Sequence, residues 1–167
     1  MVPAPEFSRP VPLDQIAERE RVVKIAASEE ERQALARRFG LLGVGRLEAT
    51  ARLRRSGIFY QLKAAWQADV VQTCVVTLEP VASRLAEEFA ERYGPTDQGA
   101  ELDLDPEVDA PEPVDDGVID VGEAVAQALS LAIDPYPRKS GATLEIPGEK
   151  DGDHGPFAEL SRLRRGS

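Results

Sequence analysis

The stretch Arg46-Leu47-Glu48-Ala49-Thr50-Ala51-Arg52-Leu53-Arg54-Arg55-Ser56-Gly57-Ile58-Phe59-Tyr60-Gln61-Leu62-Lys63-Ala64-Ala65-Trp66 decides the fold. Leu47, Ala49, Ala51 and Leu53 alternate with Arg46, Glu48, Thr50, Arg52 and Arg54. That period belongs to a strand with one face in a core and the other in water. After a turn at Arg55-Ser56-Gly57 the alternation resumes. Ile58, Tyr60, Leu62, Ala64, Trp66, Ala68, Val70, Cys74, Val76 and Leu78 share one parity, broken only by Gln72. The short connection predicts an antiparallel hairpin of 44–54 with 58–68. A single strand over 58–78 would run about 70 Å at ~3.3 Å per residue. The run is therefore expected to bend sharply or to break in two with its parity kept.

Upstream, 6–13 with its two prolines reads as an extended arm and 22–27 as a short strand. Ser28 followed by Glu31 is a capping box, and Gly40 stands where a helix stops, so a helix is predicted over 29–39 with Leu35 and Phe39 inward. Downstream, Val81, Leu85, Phe89 and Tyr93 lie four apart as on a helix, and also share a strand parity. The Ala, Leu, Glu and Arg content of 81–93 favours helix. Asp120 and Glu123 mark the start of a second helix, whose apolar face holds Val121, Ala124, Val125, Ala128, Leu129 and Ala132; Asp134-Pro135 ends it. The result is an α+β fold. It is read as one domain over 1–167, with a mainly antiparallel, strongly bent and barrel-like sheet and two helices packed on it. A flexible acidic loop is expected at about 95–117 and a flexible C-terminal tail at about 139–167.

The net charge of −10 is unevenly spread. Residues 96–134 hold twelve acids and no base, whereas 32–63 hold eight bases and one acid, Glu48. Contact follows local patches, so an acidic total does not exclude a polyanionic partner. The proline-rich acidic loop lacks the apolar surface to offset ordering entropy and is expected to be disordered. No apolar run approaches the ~18 residues of a membrane span. The first residues show neither a basic start nor an apolar core, so no signal peptide is expected, and the single Cys74 suits a reducing cytoplasm.

Catalytic chemistry is hard to assemble. The one histidine, His154, has no second histidine to join it in a triad or metal site. Cys74 carries the apolar parity of its strand, as a buried small hydrophobe would. Asp103 to Asp109 is acidic but lacks the glycine and spaced glutamate of an EF-hand loop. No catalytic residue, no cofactor and no metal is expected.

The charged faces offer more. Arg46, Arg52 and Arg54 lie on the polar parity of one strand, with Gln61 and Lys63 on that of its hairpin partner, so together they predict a basic sheet face. Arg37, Arg38 and Arg55 are candidates to extend it, and Phe59 shares the outward parity and offers base stacking. Guanidinium groups suit phosphate. The alternative use of these charges is protection of an exposed strand against edge pairing. The acidic loop suits a solubilising linker or the docking of a basic protein.

Three stretches, in order, resemble the YceD family of large ribosomal RNA subunit accumulation proteins. They are the segment from Val70 to Val81, the segment from Ile119 to Arg138 with its Ile-Asp start and proline pair, and the terminal Gly155-Pro156-Phe157-Ala158-Glu159-Leu160 followed by basic residues. The resemblance implies a non-enzymatic factor in ribosome assembly, whose partner is ribosomal RNA (23S) or a pre-large-subunit particle. The nucleic-acid-binding candidates are then Arg37, Arg38, Arg46, Arg52, Arg54, Arg55 and Lys63. An acidic adaptor docking a basic ribosomal protein is the alternative. The resemblance also implies that 81–93 continues as a strand. Many members carry a Cys-x-x-Cys pair in the central segment. Here Cys74 holds the first position and Thr77 the second, which argues against zinc.

Overall fold

The computed structural model describes residues 5–95, 111–114 and 116–143. Most of the acidic loop expected at 95–117 and of the tail expected at 139–167 lies outside these, His154 included. In chain order the elements are β1 (Pro10–Pro12), a short 3-10 turn, β2 (Arg21–Ala26), α1 (Glu29–Phe39), β3 (Gly43–Ser56), β4 (Phe59–Thr73), β5 (Pro80–Tyr93), β6 (Val118–Asp120) and α2 (Val121–Ala132). The fold is α+β. A four-stranded antiparallel sheet of order β2-β3-β4-β5 stands beside a two-stranded one, β1-β6. The described sheet is open and does not close into the barrel the sequence suggested.

The hairpin forms as its alternation demands, pairing Ser56 with Phe59 and continuing to Gly43 opposite Val71. The turn is tighter than expected, with Gly57 and Ile58 alone between the strands. Gly57 has φ +63°, which glycine adopts without a Cβ penalty. A bulge between Val44 and Arg46 inserts one residue and switches the inward parity, so Val44 is buried and then Leu47, Ala49, Ala51 and Leu53. The long apolar run breaks, as its length required, at Thr73, and its remainder to 78 is a turn and not a second strand. Gln72, the one polar residue on its inward parity, is buried because its Nε2 donates to the Asp134 carbonyl at 2.8 Å, just past α2.

Residues 81–93 are strand, paired with β4 from Thr73–Pro80 to Tyr60–Tyr93 without a shift in register. Helical propensity is a preference of only tenths of a kcal/mol per residue. It yields here to a full ladder of backbone hydrogen bonds and to the seating of Leu85, Phe89 and Tyr93 against the core.

Both helices pack on the inward face. Leu35 and Ala36 of α1, and Val121, Ala124, Val125, Ala126 and Leu129 of α2, join Leu47, Leu53, Leu62, Trp66, Ala68 and Val70 in one core. The N-terminal arm stitches this layer. Arg9 donates two hydrogen bonds to the Glu31 carboxylate, at 2.7 and 3.0 Å, and this lowers the Glu31 pKa. Glu31 also completes the Ser28 capping box predicted from sequence. Asp120 caps α2 through the amides of Gly122 and Glu123, and it accepts from the Arg9 amide and the Ser8 hydroxyl at 2.7 and 2.5 Å. One carboxylate therefore caps a helix and holds the arm.

The arm passes so close to α2 that a Cβ on Gly122 would stand 2.5 Å from the Phe7 carbonyl oxygen and 2.9 Å from the Arg9 amide. A glycine-to-alanine change inside a helix ordinarily stabilises. Here Gly122→Ala is expected to destabilise by ~1–3 kcal/mol in urea unfolding, because the arm must be displaced; a stabilised variant would contradict the docked arm.

Candidate nucleic-acid interface

With both helices on the inward face, the outer face of the four-stranded sheet is left uncovered among the described residues. Cross-strand pairing sets its residues in rows. Val22, Arg52, Lys63 and Ala90 form one row; Lys24, Thr50, Ala65 and Glu88 the next; Ala26, Glu48, Gln67 and Ala86 the third. Arg54, Gln61 and Arg92 flank these on the hairpin side, and Arg46, Asp69 and Arg84 on the other. Seven bases thus share the face with three acids.

Arg52 and Lys63 are directly opposed, like charges on neighbouring strands, an arrangement that costs stability. The small residues Thr50, Ala65 and Ala90 floor a shallow depression beside them, with Glu88 on its far wall. Among the described residues Arg52 pairs with Glu20 at 3.5 Å, and both side chains are about half exposed or more (60% and 46%). Such a surface pair contributes little and yields to a competing anion.

The other candidates fall into distinct environments. The Arg54 Nε donates to the Gln61 carboxamide oxygen at 2.8 Å, leaving its charge unneutralised by that contact. Arg46 is committed, with Gln67 at 3.2 Å and Asp69 at 3.4 Å, and Asp69 also accepts from Arg84 at 2.9 Å. Arg55 is exposed at the hairpin end, where its Nε donates to the Gly57 carbonyl. Arg37 and Arg38 do not extend the outer face, because α1 lies on the opposite layer. Arg38 there clamps Glu6 and Glu123 at 2.9 Å each, joining the arm, α1 and α2. Phe59 lies on the outer face, but the Arg92 guanidinium stacks over its ring at 4.9 Å and Gly94 packs against it.

Sequence reasoning missed Lys24, Arg84 and Arg92. The signal for the last two was present, since Arg84, Glu88 and Arg92 share a parity. It went unused because the composition of 81–93 favours helix, although the family resemblance implied a strand.

At the far end of β4 the chain turns tightly on Cys74, a buried free cysteine. The Cys74 amide donates to the Glu79 carbonyl and the Leu78 amide to the Cys74 carbonyl, with Leu78 at φ +61°. The sulfur accepts from the amides of Thr77 and Lys139, each at 3.4 Å, which ties the segment after α2 to the turn. Hydrogen bonding by the Thr77 side chain first, then by the Lys139 and Thr77 amides, pulls the thiol pKa from 9.0 down to about 6. Thr77 stands where the second cysteine of a Cys-x-x-Cys pair would be. Among the described residues no group of three or more His, Cys, Asp or Glu side chains is placed to hold a metal, and no helix is long and apolar enough to cross a membrane.

A family model described as large ribosomal RNA subunit accumulation protein YceD matches residues 62–162, more than half of the chain. No curated protein and no solved structure matches.

Two outcomes follow from this geometry. Lys63→Glu removes the opposed like charges, so it is expected to raise stability by a few tenths of a kcal/mol (roughly 0.2–1) at low ionic strength, with the gain fading as salt is added. Thermal denaturation across a salt series measures it. The thiol proton is lost at lower pH in the folded chain than in the unfolded one, so its stabilisation is complete above about 9 and disappears as pH falls through about 6. Cys74→Ala should flatten the stability profile between those limits, and the ultraviolet absorbance of the thiolate in the folded parent chain should rise through about 6.

Proposed function

The chain belongs to the YceD family, and on that premise we propose that it supports large-subunit ribosomal RNA accumulation as a non-enzymatic cytoplasmic factor. It does so by holding RNA, or a pre-ribosomal particle through its RNA, against the outer face of its sheet. The observation that carries this reading is the opposition of Arg52 and Lys63 on an uncovered face, beside Lys24 and Arg54. A phosphate between two opposed cations turns their mutual repulsion into shared attraction and releases condensed counterions. The small floor at Thr50, Ala65 and Ala90 lets a sugar-phosphate backbone approach the sheet, and Glu88 and Glu48 limit where it can lie.

The contacts are to phosphate and not to base edges, so binding depends on charge and shape more than on sequence. Ring stacking is secondary, since Phe59 already carries Arg92. Arg38 and Arg46 act in folding through their carboxylate partners.

If Lys24, Arg52, Arg54 and Lys63 each neutralise one phosphate of a single-stranded segment, the logarithm of the affinity falls with that of the salt concentration with a slope of about −3. Filter binding with a large-subunit RNA fragment measures the slope. Lys63→Glu is expected to make it shallower and to weaken binding at least tenfold. Unchanged large-subunit RNA levels in cells depleted of the protein would count against the whole assignment, whereas a salt-independent interaction would count against this face alone.

A further inference from the structure

Strand β5 ends the sheet, so one of its edges has no strand beside it among the described residues. It is long and regular, fourteen residues without a bulge. An edge of that kind is a template for another strand unless it is covered, shortened or broken. Its two ends are closed. At one, the Glu112 amide donates to the Arg92 carbonyl and the Gly94 amide to the Glu112 carbonyl. At the other, Pro80 has no N–H to give. The open edge therefore spans 81–91, and its midpoint is Ala86.

The Glu112 contacts also reveal which residues face outward along this edge. The Arg92 carbonyl and the Gly94 amide point away from β4, and by alternation so do the backbone groups of Ala82, Arg84, Ala86, Glu88 and Ala90. The same residues place their side chains on the outer face.

We propose that two copies of the chain pair antiparallel along β5, about a two-fold axis at Ala86. That register sets Arg84 opposite Glu88 of the partner subunit, and Glu88 opposite Arg84 of the partner subunit. Ala82 and Ala90 face each other on either side, and the two Ala86 residues meet at the axis. Every one of these pairs joins residues whose backbone groups point outward, so each exchanges two hydrogen bonds. Neighbouring registers lack this match. An axis at Leu85 or Glu87 sets Arg84 and Glu88 against alanines, and an axis at Arg84 or Glu88 sets like charges face to face. On the inward side Leu85 and Phe89, half-buried at the sheet margin, gain Glu87 and Ser83 of the partner subunit as cross-strand neighbours. Self-pairing is isologous, as a closed dimer requires, and it joins the two outer faces into one eight-stranded surface.

Arg84 and Glu88 are exposed, so neither substitution disturbs the core, although Arg84→Glu also gives up the Asp69 contact within the chain. Sedimentation equilibrium on the full chain is expected to show a dimer. Arg84→Glu and Glu88→Lys should each weaken it about tenfold or more while leaving the circular dichroism spectrum unchanged. Mixing the two variants restores association. In a mixed pair the two substituted side chains face each other with opposite charges, and the unsubstituted Glu88 of one variant meets the unsubstituted Arg84 of the other. A parent chain that sediments as a monomer overturns the proposal and leaves the edge to a strand of another protein. A dimer that both variants leave intact, or a mixture that fails to recover, overturns it as well.

Discussion

The β3–β4 ladder is the constraint on which the rest of the molecule depends. Along it, each inward residue meets an inward residue and each charged one a charged or polar one: Leu53 faces Leu62, Ala51 faces Ala64, Arg52 faces Lys63 and Arg54 faces Gln61. Because strand side chains alternate strictly, a slip of one residue would bury the arginines and expose the leucines. Once that register is set, the apolar face requires a cover, and α1 and α2 supply it from the same side. The polar face is then left bare among the described residues. Its charges support the fold where Asp69 joins Arg46 and Arg84, and at Arg52 and Lys63 they oppose it.

The other layer holds ion pairs that join segments distant in sequence. Arg9 with Glu31 is part-buried, Arg38 with Glu6 and Glu123 lies nearer the surface, and all are close. Each pairs an arginine with a carboxylate that is already fixed, Glu31 by its capping box and Glu123 by its place in the first turn of α2. Fixed partners lose less side-chain entropy on pairing. Arginines in one short stretch of sequence are thus divided by the fold into structural and exposed classes. Arg38 belongs to the first, Arg52 and Arg54 to the second.

Local chemistry made the hairpin, the capping box at Ser28 and Glu31, and the cap at Asp120 readable from the sequence, and the structure contains all three. What local chemistry left open or missed depended on distant partners. Strand β5 has helix-favouring residues, so its own composition left helix and strand open; the family resemblance implied a strand, and pairing with β4 makes it one. The position of β2 beside β3 is what brings Lys24 next to Thr50, and nothing within 21–26 states it. The placement of α1 on the inward layer takes Arg37 and Arg38 away from the face they were expected to extend. Sequence parity carried the apolar run on to 78, while the hydrogen bonds around Cys74 stop the strand at Thr73. The resemblance to the YceD family lay in residues 70–81, 119–138 and 155–160. The basic residues of β3 lie before the matched segment, so family and face are separate observations.

Their union is open to one direct test. RNA is crosslinked to the protein by ultraviolet light in cells, and the modified peptides are located by mass spectrometry. Adducts are expected on the outer-face residues of 50–65 and beside Lys24, with the RNA recovered from the large subunit. Adducts confined to α1, or no RNA adduct at all, would contradict that union.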